Sequence, residues 1–82
     1  MDSSEHDHHR TLDYFVNGEK EETDKHELTV AQILERAGFT PPTEYQLERD
    51  SDHHKYTDYD REVEIRKDER FTATFVGPTP TS

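Results

Sequence analysis

The apolar residues of this chain fall into short alternating runs, interrupted once by a run of helical period. In Thr11-Leu-Asp-Tyr-Phe-Val16, the residues Leu12, Tyr14 and Val16 alternate with Thr11, Asp13 and Phe15, which is the period of a half-buried strand. Asn17-Gly18 follows at once. A two-residue type I′ turn needs positive φ at both central positions, so this pair predicts a hairpin whose returning strand runs through Glu21 to Leu28. That return is mostly polar, and only Leu28 reads as core.

The helical run is Thr29-Val-Ala-Gln-Ile-Leu-Glu-Arg-Ala-Gly38. Thr29 is suited to cap it, and Gln32, three residues on, can reach back to the cap's N–H as in a capping box. Val30, Ile33, Leu34 and Ala37 then share one face. Gly38 supplies a left-handed stop, and Pro41-Pro42 prevents a restart, so the pattern predicts one short amphipathic helix over Val30 to Ala37.

Alternation returns afterwards. Glu44 to Glu48 reads as a strand burying Tyr45 and Leu47, and Arg49 to Asp60 is a polar stretch with a short strand around Lys55 to Thr57. Arg61 to Arg66 alternates through Val63 and Ile65. Lys67 to Arg70 is a charged turn, and Phe71-Thr-Ala-Thr-Phe75 is the best-patterned strand, with β-branched Thr between Phe71, Ala73 and Phe75. Two hairpin strands, a helix and then further strands make an α+β order, with one helix packed on a mixed sheet of four or five strands.

Met1 to His9 has no apolar residue after the first and reads as a disordered acidic, histidine-rich tail; Pro78 to Ser82 alternates proline with small hydroxyl residues and reads as an extended tail. The folded domain is expected over residues 10–77. Leu, Ile, Val and Phe together stay below the ~20% at which a highly charged chain is suspected of disorder. Cap, turn and breaker signals nevertheless agree along the middle of the chain, which a disordered segment would not show.

With 20 acidic and 10 basic residues the net charge is −10, so phosphate backbones and anionic lipid are repelled, and neither nucleic acid nor membrane is an expected partner. The absence of cysteine removes thiolate chemistry and Cys-ligated zinc, and fits a cytoplasmic location. Histidines cluster at His6, His8, His9 and at His53, His54, without the spacing of recognised zinc sites, so no metal and no cofactor are expected. Ser3, Ser4, Ser51 and Ser82 all lie in presumed loops or tails, and a domain of this size has little room for a pocket, so no enzyme is expected.

Tyr14-Phe-Val-Asn-Gly18, Leu28-Thr-Val-Ala-Gln-Ile-Leu34, Gly38-Phe-Thr-Pro-Pro42 and Phe71 to Gly77 together resemble a ubiquitin-like β-grasp protein across most of the span from Asp13 to Gly77. More narrowly, Thr29 to Phe39, Tyr45-Gln-Leu47 and Arg70 to Phe75 are similar to the bacterial multi-ubiquitin-type proteins. The chain departs from that pattern in having one repeat, and in ending Gly77-Pro-Thr-Pro-Thr-Ser82 where ubiquitin ends in paired glycines; Val76 stands where the first of these would be.

The resemblance implies a bacterial protein modifier, made as a precursor, trimmed at Gly77-Pro78 and joined to a target through an isopeptide bond, with antiphage defence as the setting. It implies an ATP-dependent activating enzyme, a conjugating enzyme and a deubiquitinase-like metalloprotease as partners. Lys20, Lys25, Lys55 and Lys67 would be the acceptors of a second copy, and Phe15, Tyr56 and Tyr59 would form a recognition patch on the open sheet face. Plainer accounts stand beside these. Isolated surface aromatics are ordinary, Gly77-Pro78 can simply end a strand, and the same fold can serve as an interaction module that is never conjugated.

Overall fold

The computed structural model describes residues 11–78. Strand β1 (Leu12–Val16) turns through Asn17 and Gly18, at φ 53° and 83°, into β2 (Glu19–Thr23), with Val16 opposite Glu19. Both turn residues thus occupy the left-handed region that Asn and Gly tolerate best. The expected return over Glu21 to Leu28 is divided. β2 stops at Thr23, and Glu27–Thr29 forms a separate β3 that pairs with β6 (Glu62–Glu64) in a two-stranded ladder, Leu28 opposite Val63. Leu28 is buried as its pattern requires; the polar residues between Thr23 and Glu27 offered the first sheet nothing to hold.

Helix α1 (Val30–Arg36) has the expected start. The Gln32 N–H donates to Thr29 Oγ1 at 3.1 Å, and the Thr29 N–H donates to Gln32 Oε1 at 2.9 Å, so two otherwise unsatisfied donors are paired reciprocally. Ala37 caps the end and Gly38 turns the chain at φ 92°. A 3₁₀ turn (Pro42–Glu44) then leads into β4 (Tyr45–Arg49), β5 (His54–Tyr56), β6 and finally β7 (Glu69–Phe75).

The main sheet runs β2-β1-β7-β4-β5, all neighbours antiparallel except the parallel pair β1 and β7. The protein is therefore α+β, a single helix among the described residues lying on a mixed five-stranded sheet whose interior contains the first and last strands. Val30, Ile33 and Leu34 of the helix are fully buried in one cluster with Tyr14, Val16, Leu47, Tyr56, Phe71 and Ala73 of the sheet and Leu28, Val63 and Ile65 of the small ladder. Each large aliphatic side chain so buried contributes ~1.5–3 kcal/mol. The expected tails at residues 1–9 and beyond Pro78 lie outside the described residues.

Asn17 extends the parallel pairing beyond β1. Its N–H donates to Phe71 O at 2.9 Å, its Nδ2 donates to Ala73 O at 3.1 Å, and its Oδ1 accepts from the Ala73 N–H at 2.8 Å. The side-chain amide does the work of one more strand residue while the main chain has already turned away.

Candidate functional site

Of the residues that the sequence singles out for chemistry, Gly77 and Pro78 follow directly where β7 ends. The last strand stops at Phe75, and the N–H groups of Val76 and Gly77 both donate to the carbonyl of Glu44, at 2.8 and 3.1 Å. The chain is thereby bound to the 3₁₀ turn up to the residue before Pro78. A Cβ on Gly77 would stand 3.0 Å from Cβ and Cγ of Glu44 and 3.1 Å from Cζ of Phe75, distances that require neighbours to give way. A side chain at position 77 therefore has to displace Glu44 or Phe75. The absence of a side chain lets the backbone pass close to Glu44.

Beside this segment lies a row of aromatic rings. Phe39 meets Tyr45 at 5.1 Å between centroids, and Tyr45 meets Phe75 edge-on at 5.5 Å. Phe75 and Val76 remain 46% and 53% exposed, the two exposed large hydrophobics of the described residues. Phe75 alternates with Phe71 and Ala73 but is the last residue of the strand, and it stays exposed where they are buried. The consecutive pair Phe75-Val76, with Val76 beyond the alternating run, is the sequence signal for this patch.

The expected three-aromatic patch does not assemble. Tyr56 is only 5% exposed and belongs to the core, because its register opposite Leu47 turns it toward the helix. Tyr59 is partly buried against the core, and its hydroxyl donates to Tyr45 O at 2.6 Å with a longer contact to Thr43 O at 3.2 Å. Both tyrosines therefore fasten the domain. Phe15 alone faces outward as expected, half-buried with the Arg70 guanidinium 4.5 Å above its ring.

All four lysines are exposed. Lys20 lies opposite Phe15 across the hairpin, with Asp13 at 3.6 Å and Glu22 at 3.8 Å, contacts too loose and wet to restrain it. Lys25 follows the Thr23 turn, Lys55 is central in β5, and Lys67 lies in the turn before β7.

Two electrostatic features border the sheet. At the β4–β5 turn, Arg49 holds Asp52 at 2.6 Å; this hydrogen bond, reinforced by the N–H of His54, brings the Asp52 carboxyl down to about 2. His53 Nδ1 lies 3.0 Å from Glu48, and His54 stacks edge-on against Tyr56. At the other side, burial pushes the Tyr14 hydroxyl up, and the charge of Glu21 adds to the shift, while Arg36 opposes both. Burial likewise raises the Glu21 carboxyl, helped by Glu19 and opposed by Arg36.

Among the described residues there is no enclosed pocket, no group of three or more metal-ligating side chains, and no helix long and apolar enough to cross a membrane. Comparison with protein-family models, curated proteins and solved structures finds no match to this chain.

Proposed function

We propose that this chain is a bacterial ubiquitin-like modifier of β-grasp fold, made as a precursor, trimmed after Gly77 and joined to target amines. The observation that carries the reading is the sheet order β2-β1-β7-β4-β5, with the first and last strands parallel at its interior and the helix on one face, because it brings the last strand directly to Gly77 at the domain's edge. In this role the protein is a substrate. A protease of the deubiquitinase-like metalloprotease class releases Pro78 to Ser82, an activating enzyme adenylates the Gly77 carboxylate with ATP and release of pyrophosphate, an enzyme thiol displaces AMP to form a thioester, and a lysine amine takes the acyl group from the conjugating enzyme as its thiolate leaves. Phe75 and Val76, exposed immediately before the glycine, give those enzymes an apolar grip.

A second reading has its own observation. Gly77 is seated against Glu44 so closely that the fold itself accounts for a glycine there, as in an interaction module that is never conjugated. One experiment separates the two. With the cognate activating enzyme and ATP, the form ending at Gly77 is expected to support pyrophosphate exchange, whereas the full chain and a form ending at Val76 are not. Equal exchange by all three, or none by any, refutes the modifier and favours the module. Comparing chain lengths avoids the clash that a substitution at Gly77 brings.

A further inference from the structure

We infer that Asn17 is a deamidation site that the fold holds closed, and that its conversion to an acid loosens the junction between β1 and β7. The inference does not depend on the proposed function.

Asn17 is the only asparagine in the chain and is followed by Gly18. A glycine at this place leaves the next backbone nitrogen unhindered, since no Cβ flanks its approach. In the reaction the Gly18 nitrogen attacks Asn17 Cγ. A new C–N bond forms, the Cγ–Nδ2 bond breaks, and Nδ2 leaves as ammonia, carrying away the proton that Gly18 nitrogen loses. The cyclic imide then takes up one water molecule and opens at either carbonyl, giving aspartate or a β-linked isoaspartate whose backbone is longer by one carbon.

The fold opposes the first step. Attack makes Cγ tetrahedral, whereas the amide is held as a plane by two hydrogen bonds to the same residue: Nδ2 to Ala73 O at 3.1 Å and Oδ1 from the Ala73 N–H at 2.8 Å. The backbone N–H of Asn17 is also tied to Phe71 O, at 2.9 Å. Ring closure requires the side chain to leave Ala73, so the rate reports how often this end of the β1–β7 junction opens. The amide is not sealed from solvent, because Asn17 is exposed as a residue. Its protection is therefore one of geometry, and water is at hand once the imide exists.

The product cannot restore the junction. A carboxylate keeps an acceptor for the Ala73 N–H but replaces the Nδ2 donor by a second oxygen facing the Ala73 carbonyl, acceptor against acceptor. It also adds a negative charge to a chain already at −10. The isoaspartate form further displaces the turn that needs φ 53° and 83° at these two positions.

The test uses the full chain at mildly alkaline pH, folded in buffer and unfolded in urea, with peptide mass spectrometry following the amide-to-acid conversion at Asn17. Conversion in the folded chain is expected to be slower by at least about tenfold, the scale of hydrogen bonds that must first break. Equal rates in the two states would overturn the protection. Asn17→Asp is then compared with Asn17→Gly, which keeps the turn conformation but lacks the amide. Asn17→Asp is expected to melt several degrees below the parent and below Asn17→Gly, or to fail to fold while Asn17→Gly still folds. If Asn17→Asp melts with the parent, or no lower than Asn17→Gly, deamidation does not loosen the junction and the inference fails.

Discussion

The N–H of Gly77 donates to the carbonyl of Glu44 at 3.1 Å, and the space a side chain would need at Gly77 is filled by the Cβ and Cγ of that same glutamate, each 3.0 Å away. Position 77 is thus part of the folded domain. Gly77→Ala is expected to destabilise it by about 0.5–3 kcal/mol, the ordinary range for a steric fault, and Gly77→Val by more. Thermal melting decides the matter. A Gly77→Val protein melting with the parent would show that the segment does not hold to Glu44 in solution.

The helix depends on Ile33 and Leu34, both without exposed surface. Ile33→Ala is expected to cost ~2–5 kcal/mol, a large part of what so small a domain possesses. Ile33→Asp, which buries a carboxylate without a partner, should unfold it altogether. Circular dichroism is the measurement, and a parent-like spectrum and melt for Ile33→Asp would contradict the packing described.

Tyr14 has no exposed surface, and its hydroxyl has no hydrogen-bond partner of adequate geometry. An unsatisfied buried hydroxyl costs about 1–3 kcal/mol, so Tyr14→Phe should leave stability unchanged or raise it. Its edge-to-face contact with Phe71, at 6.2 Å between centroids, does not involve the hydroxyl and survives the change. A clear fall in melting temperature would reveal a bond that the geometry does not contain.

Glu21 gives a pH dependence of opposite sign to that of most carboxylates. Burial, with Glu19 second and Arg36 opposing, raises its carboxyl in the folded protein, so the folded state holds the proton more tightly than the unfolded one. The stability it contributes is present below the unfolded value and is lost as pH rises through the raised folded value. Glu21→Gln should therefore melt above the parent at neutral pH, and the advantage should vanish as pH falls below the carboxylate range. An advantage that persists into acid would have another origin.

What could be read from the sequence was what depends on near neighbours. Thr29 and Gln32 are three residues apart, and their reciprocal bonds follow from that spacing alone; Asn17-Gly18 likewise specifies its own turn. The burial of Tyr56 is not legible in the sequence, because a three-residue strand flanked by charges carries too little alternation to reveal its inner face, which only the pairing with Leu47 decides. Tyr59 and Phe39 belong to no period, and their burial comes from chain segments brought together by the fold. The bond from Gly77 to Glu44 could not be anticipated, since it joins two main-chain positions whose side chains carry no mark of it.

The parallel pairing of β1 with β7 also governs the order in which the chain can assemble as it is made. Tyr14 must wait for Glu69, and Val16 for Phe71, before the inner edge of the first hairpin acquires a partner. Until the ribosome has released the chain through Phe75, the hairpin of β1 and β2 stands as an isolated pair, marginal in water. The helix, complete much earlier, has only part of a sheet to rest on. Such non-local closure slows folding relative to helical domains of similar size. Synthesis must therefore run nearly to the end of the described chain before the domain can close, and until then its apolar residues remain available to chaperones and to one another.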